Sequence, residues 1–258
     1  MTGDPWNPDQ YARFRRERAQ PFYDLLARVL PSPNMRVVDL GCGSGALTRE
    51  LHERLGAAAT VGVDASREML AGSDRYAGDG VSFVCADLAS YRDGAPYDLV
   101  FSNAALHWLP DHASLFANLA SRVASGGQLA VQIPCNDTYP SHTVLAEVAR
   151  ETPFADALGG YVRESPVLPP WAYADLLHRF GFAEVDVWLR VYTHELPGPE
   201  AVVEWVKGST LTDYRRRLAP DVFDAFVARY RQRLMDALPD ARPFVFPFQR
   251  LFVWGRRG

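Results

Sequence analysis

The segment Val37-Val38-Asp39-Leu40-Gly41-Cys42-Gly43-Ser44-Gly45 carries the densest chemical signal in this chain. A β-branched run meets a glycine-rich turn, and the turn opens onto a helical pattern. Glycine tolerates positive φ and has no Cβ, so a ligand can lie directly against such a turn. A tight structural turn is the plain alternative, and a lone Gly-x-Gly does not exclude it. Its neighbours narrow the reading. Asp39 sits on the strand just ahead of the loop, and Asp64 ends the next strand, where a carboxylate could grip a ribose diol. Asp64 could instead only cap the helix that follows. The glycines run Gly-x-Gly-x-Gly, not the Gly-x-Gly-x-x-Gly of the dinucleotide fingerprint, which disfavours a hydride-transferring dehydrogenase. His107 and His112 in "HWLPDH" fall on different faces of a helix, Pro110 interrupts them, and no metal site is expected. Cys42, Cys85 and Cys135 lack a C-x-x-C spacing and read as free, buried thiols in a reducing cytoplasm. No nucleophile triad or acid–base pair stands out.

These residues need a scaffold, and the pattern around them supplies one. "RVVDL", "ATVGVD", "VSFVCA", "YDLVFSN" and "GGQLAVQI" read as five strands. "GALTRELHERL", "SREMLAGSDRYA" (with Ser66 as N-cap) and "HASLFANLASRV" read as helices between them. Such alternation implies parallel β-α-β units. Ahead of it, "WNPDQYARFRRERAQPFYDLLARVL" reads as helix in two pieces broken near Pro21, with Tyr11 facing the core. Behind it come "SHTVLAEVARE" and "PPWAYADLLHRFGF" as helices and "EVDVWLRVYTHEL" as a period-two strand. Two further helices, "PEAVVEWVKGS" and "PDVFDAFVARYRQRLMDAL", precede a closing strand, "FQRLFVWGRR". If the last two strands pair, residues 197–239 form a helical lid insertion above one end of the sheet, where open α/β sheets bind ligands. The expected organisation is thus a helical arm at 1–34, a core at 35–196 and 240–258, and the lid.

Composition agrees with a globular protein that has a real core. The 258 residues are 48% hydrophobic and 22% charged, with 27 basic against 31 acidic side chains. A net charge of −4 gives no general attraction to nucleic acid or anionic membrane. No apolar run reaches membrane-helix length, and "MTGDPWNPDQ" lacks the basic-then-apolar start of a secretory signal, so a cytoplasmic location is expected.

The glycine segment resembles motif I of the class I S-adenosylmethionine-dependent methyltransferases, and the order of elements from Arg36 to Pro134 resembles that Rossmann-like fold with its sheet of seven strands. The resemblance implies that Gly41, Gly43 and Gly45, with Asp39 before them, contact the methionine portion of S-adenosylmethionine. It implies that Asp64 binds the ribose hydroxyls, that Asp87 and Leu88 in "VCADL" lie near the adenine, and that Ser102 and Asn103 face the methionine end. Each acid could instead be a turn or cap residue. A cofactor-binding protein without catalysis is a further alternative.

The flanks narrow the family. "WNPDQYARFRRERAQPF", "SNAALHWLPDH", "VQIP", "VDVWLRVYTHEL" and "FPFQRLFVW" are similar to the trans-aconitate 2-methyltransferases, whereas 152–170 is harder to match. That resemblance implies methyl transfer to a carboxylate of a small polycarboxylate; transfer to oxygen, nitrogen or carbon of another small metabolite is the alternative. A carboxylate is ionised near neutral pH and attacks without a general base, so the protein must supply alignment and positive hydrogen-bond donors. The candidates for that task are His107, Trp108, His142, Arg163, Tyr192, His194, Trp205 and Arg250. Arg18 is raised by the resemblance alone, and Tyr11 has cofactor cover as a second role. Plain alternatives stand beside each: a packed aromatic pair for His107-Trp108, a solvated strand end for His194, a surface-facing strand arginine for Arg250.

Overall fold

The structure is a computed structural model that describes the chain from residue 15 onward, with side chains from residue 19. Helix α1 (Arg15–Leu26) leads into β1 (Arg36–Leu40), α2 (Ala46–Leu55), β2 (Ala59–Asp64), β3 (Val81–Cys85) and β4 (Tyr97–Asn103). Then follow α3 (His112–Ser121), β5 (Val123–Pro134), α4 (Pro140–Ala149), α5 (Phe154–Ala157), α6 (Pro170–Arg179) and β6 (Phe182–Leu196). Helices α7 (Ala201–Lys207), α8 (Leu211–Arg215) and α9 (Pro220–Ala237) precede β7 (Phe244–Arg257). The sheet has seven strands in the order β3-β2-β1-β4-β5-β7-β6. Strands β1 to β5 pair in parallel, and β7 lies antiparallel to β5.

The chain divides into two compact units. One takes residues 18–134, 166–190 and 250–258 and holds the parallel strands. Its central strands read as apolar runs because both faces are covered. Val37, Val38, Leu99, Val100, Leu129 and Val131 are completely buried. Helix α1 runs down one face, with Phe22 edge-on to Phe101 and the Leu30 backbone bonded to Gln128 at the far end. It passes straight through Pro21, where the sequence predicts a break. Phe22 and Leu25, 1% and 0% exposed, explain this. Burying two such side chains contributes about 3–6 kcal/mol, which offsets the roughly 3 kcal/mol that an internal proline costs.

Two other expectations change. The stretch after Ser66 is a set of turns ending in a short 3-10 helix, Ser73–Tyr76, because Gly72 adopts φ 85° and ends any regular winding. Ser66 still caps the first turn, accepting from the Met69 amide at 3.2 Å. Of the three free thiols only Cys42 is buried. Cys85 is exposed because β3 is the edge of the sheet, and Cys135 is half-buried.

The other unit takes residues 135–165 and 191–249 and is mainly helical. Its core packs Val148, Phe154, Trp205, Tyr214, Phe226 and Tyr230. The apolar stripe of α9 faces it, with Phe226, Tyr230 and Leu234 fully buried. The unit is larger than residues 197–239. The segment from α4 to α5 belongs to it, through Phe154 against Phe226 and the Tyr230 hydroxyl donating to Ser141 O at 2.8 Å. Among the described residues no helix is long and apolar enough to cross a membrane.

Candidate active site

Parallel strands end together, so their carboxyl ends present loops side by side. The register sets Asp39 level with Phe101 and Phe101 level with Ala130. Asn103 is level with Gln132. The glycine loop therefore opens beside the ends of β4 and β5.

Gly41, Gly43 and Gly45 all have positive φ: 83°, 58° and 82°. At Gly41 space also matters, since a Cβ there would lie 2.1 Å from the Ala105 Cβ. The loop is fastened by Gly41 and Cys42 amides donating to Val63 O at 2.7 and 3.1 Å. Asp64 completes the fastening: its carboxylate accepts from the Gly43 amide and the Ser66 amide, each at 2.9 Å. Both oxygens keep lone pairs for further donors. Asp39 is buried and accepts from Thr48 Oγ1 at 2.6 Å, which ties β1 to α2. Burial raises its carboxyl to about 7; the Thr48 bond works against this, and the charge of Asp64 adds to it. Asp39 thus positions the loop from behind.

Asp87 is exposed just past β3 and accepts from the Ser90 amide at 2.8 Å. Hydrogen bonds from the Ser90 side chain and then its amide hold the carboxyl below the usual carboxylate range. Leu88 is buried against the Gly41 position. Arg122, which sequence reasoning passed over, holds this stretch by donating to Leu88 O at 2.9 Å and Ala89 O at 2.6 Å. Ser102 is buried with its hydroxyl spent on Leu40 O at 2.7 Å, so it braces β1 against β4. Asn103 is half-buried, and its Oδ1 is enclosed with no hydrogen-bond partner among the described residues.

The loop after β4 carries a 3-10 turn, Leu106–Trp108, with the His107 and Trp108 rings 4.8 Å apart. Trp108 is exposed. His112 fixes this turn: Nε2 meets Leu106 O at 3.1 Å and Nδ1 meets the Tyr173 hydroxyl. Its place is structural, and burial lowers its pKa. Arg250 is only 4% exposed, which overturns the surface-facing alternative. It stands across from Pro134 at the end of β5 and donates to Gln132 Oε1 at 3.4 Å. Gln132 itself is fully buried. Nothing in its run of apolar neighbours singled it out. Tyr11 lies outside the described residues, as does the side chain of Arg18.

The remaining candidates belong to the helical unit. His194 is buried, not a solvated strand end, with its ring 4.6 Å from Trp205 and near Phe246 and Phe248. Tyr192 is buried on the same strand. His142 and Arg163 line a cavity of about 280 Å³ with Asp137, Arg150, Thr210 and Tyr214. His142 meets Ser141 Oγ at 2.9 Å and Thr210 Oγ1 at 3.2 Å. Arg163 pairs with Asp213 at 3.2 Å and Asp137 at 3.8 Å. Burial pushes the His142 imidazole down to about 4; Asp137 opposes this and Arg163 reinforces it. Among the described residues no cluster of metal-ligating side chains is present.

A positive-φ loop, a carboxylate with free lone pairs at the end of β2 and an enclosed acceptor at the end of β4 suit an adenosyl amino acid. The comparisons with known proteins agree. A family model described as a methyltransferase domain matches residues 11–187. A trans-aconitate 2-methyltransferase of Streptomyces avermitilis is 41% identical, over 96% of this chain and 95% of that protein. One of Methylobacterium nodulans is 42% identical over 98% of each. Among solved structures, a putative methyltransferase of Bacillus halodurans superposes with a TM-score of 0.59 at 15% identity, covering 92% of this chain and 99% of that one. An S-adenosylmethionine-dependent methyltransferase of Mesorhizobium loti gives 0.51 at 22% identity, covering 92% and 97%. The solved structures speak for the fold alone, but the near-full-length sequence identity is decisive: the chain belongs to the trans-aconitate 2-methyltransferase family and is an S-adenosylmethionine-dependent methyltransferase.

Proposed function

We propose that the enzyme methylates one carboxylate of a small polycarboxylate such as trans-aconitate, giving a methyl ester. The observation that carries this reading is Arg250, a guanidinium buried at the carboxyl end of β5 in an otherwise acidic protein. A strand arginine in that position can hold a carboxylate through two parallel hydrogen bonds. The names of the sequence relatives support the same substrate.

Bound over the glycine loop, S-adenosylmethionine supplies a methyl group on a positively charged sulfur, open to in-line attack by a carboxylate oxygen. The backbone of Gly41, Gly43 and Gly45 takes the amino-acid portion. Asp64 takes the ribose hydroxyls, Asp87 and Leu88 flank the adenine, and Asn103 with the Ser102 backbone meets the methionine end. Asp39 keeps the loop in place through Thr48. No group on the protein need remove a proton, because the attacking carboxylate is already ionised. What remains for the protein is to align the acceptor and exclude water. Arg250 anchors a carboxylate, and His107 and Trp108 border the transfer point. Tyr11 and Arg18 complete the cofactor side. By residue type, His142, Arg163, Tyr192, His194 and Trp205 are candidates for holding the acceptor. The segment 197–239 acts as a lid, entering after β6 and returning in β7.

Steady-state turnover with trans-aconitate, citrate, isocitrate and a set of neutral phenols and amines tests the proposal. It requires a marked preference for one of the acids. Methylation confined to a neutral acceptor would overturn it.

A further inference from the structure

The geometry points to Gln132 as a specificity-determining residue that shares a substrate carboxylate with Arg250; this rests on the carboxylate acceptor proposed above. The strand β5 contains two buried glutamines on one face, four residues apart. The first, Gln128, is fully employed. Its Oε1 accepts from the Leu30 amide at 2.9 Å and from Trp254 Nε1 at 3.1 Å, while its Nε2 donates to Leu30 O at 2.7 Å. This is how a buried amide with a structural role behaves, since leaving either end unpaired costs free energy.

Gln132 behaves differently. It is 0% exposed, and among the described residues only its oxygen is engaged, by Arg250 Nη1 at 3.4 Å. Its Nε2 is buried with no hydrogen-bond partner among the described residues. The contact with Arg250 fixes which end of the amide is which, because a guanidinium donates and cannot accept. The amide nitrogen therefore faces away from the guanidinium, its hydrogens unused among the described residues. Register explains how the two side chains meet. Gln132 stands opposite Phe252 and Pro134 opposite Arg250, so Gln132 and Arg250 are diagonal neighbours on one face of the antiparallel pair. Both lie at the end of the sheet where the glycine loop opens.

A ligand matching these groups must accept hydrogen bonds from an amide N–H and a guanidinium placed side by side. A carboxylate does so with its two oxygens. An ammonium only donates and cannot, and an alcohol offers a single uncharged oxygen where a carboxylate offers two that share a negative charge. Asn103, across the β4–β5 register from Gln132, presents an enclosed Oδ1 and needs a donor, so it serves a different group from the carboxylate. Glutamine is also the neutral choice beside Arg250. An acidic side chain here would neutralise the guanidinium and repel the substrate.

The test compares wild type with Gln132→Met and Gln132→Glu, using trans-aconitate as acceptor and calorimetry with S-adenosylhomocysteine as a separate reading of the cofactor site. Both variants are expected to raise KM for trans-aconitate about 10-fold or more, with S-adenosylhomocysteine affinity unchanged within about 2-fold. Glu should exceed Met, the opposite of what shape alone dictates. Unchanged KM in both variants, or a loss of S-adenosylhomocysteine affinity as large as the change in KM, would overturn the assignment. Failure of the wild type itself to turn over trans-aconitate would instead count against the proposed function. Should either variant not fold, the glutamine side-chain amides of the wild type can be followed by NMR. Adding propane-1,2,3-tricarboxylate to the S-adenosylhomocysteine complex should shift the Gln132 pair and leave the Gln128 pair in place. Saturation without movement of Gln132 sinks the inference.

Discussion

Replacing Gly41 with alanine adds one methyl group where the structure has no room. The new Cβ would lie 2.1 Å from the Ala105 Cβ. Carbon atoms settle at about 3.5–4.0 Å, so roughly 1.5 Å of movement is forced on one side or the other. The residue also sits at φ 83°, which costs a non-glycine residue about 1–2 kcal/mol. Overpacking adds about 1–3 kcal/mol, for a total near 2–5 kcal/mol. The movement falls on the proposed site. Ala105 precedes the turn with His107 and Trp108, and Gly41 lies between Asp39 and the loop amide bonded to Asp64. Gly56→Ala is the matched control, with φ 58° at the end of α2 and nothing within 4 Å of the added methyl. It should lose only the conformational part, about 1–2 kcal/mol, and leave ligand binding alone. Denaturant unfolding and calorimetry with S-adenosylhomocysteine read both. The reasoning fails if Gly41→Ala is no less stable than Gly56→Ala and binds S-adenosylhomocysteine as tightly as wild type.

Other substitutions probe different parts of the site. Asp64→Ala removes the acceptor for the Gly43 and Ser66 amides as well as for a ribose; S-adenosylhomocysteine affinity should fall at least about 10-fold, and unchanged affinity would reassign that acid. Arg250→Lys loses the fork geometry and should raise KM for the polycarboxylate about 10-fold while leaving S-adenosylhomocysteine affinity intact. His142 is held neutral in the fold, with its pKa pushed down to about 4. Below an unfolded value near 6.5 the unfolded chain binds a proton that the native one refuses, so stability should fall as pH drops from about 6.5 to about 4. Urea titrations across that window should show a shallower fall in His142→Asn; identical slopes would mean that the histidine is protonated in place. If 197–239 is a lid, hydrogen exchange there should slow when S-adenosylhomocysteine and trans-aconitate bind together, and equal rates would remove the gating role.

The parallel core was legible because its signals are local. Glycine spacing, the acid ending β2 and the alternation of apolar runs with helical patterns each sit within a few residues. What escaped depends on partners distant in sequence. Pro21 reads as a break until Phe22 and Leu25 are seen buried against the sheet. His194 alternates like a strand end, and only the folded chain brings Trp205, Phe246 and Phe248 around it. Arg250 had equal claims to surface and site on pattern alone; its burial beside β5 removes the surface reading. Arg122 and Gln132 gave no signal because each acts through backbone or side chains more than thirty residues away along the chain.

Carboxylate methylation itself is tested most directly by following the methyl group. S-adenosylmethionine carrying a ¹³C methyl is incubated with the enzyme and trans-aconitate, and the product is examined by NMR. The account predicts one labelled methyl, bonded to a carboxyl oxygen and released by mild base. Label on carbon or nitrogen, or no transfer to trans-aconitate or any other polycarboxylate while a neutral acceptor is methylated, would contradict it.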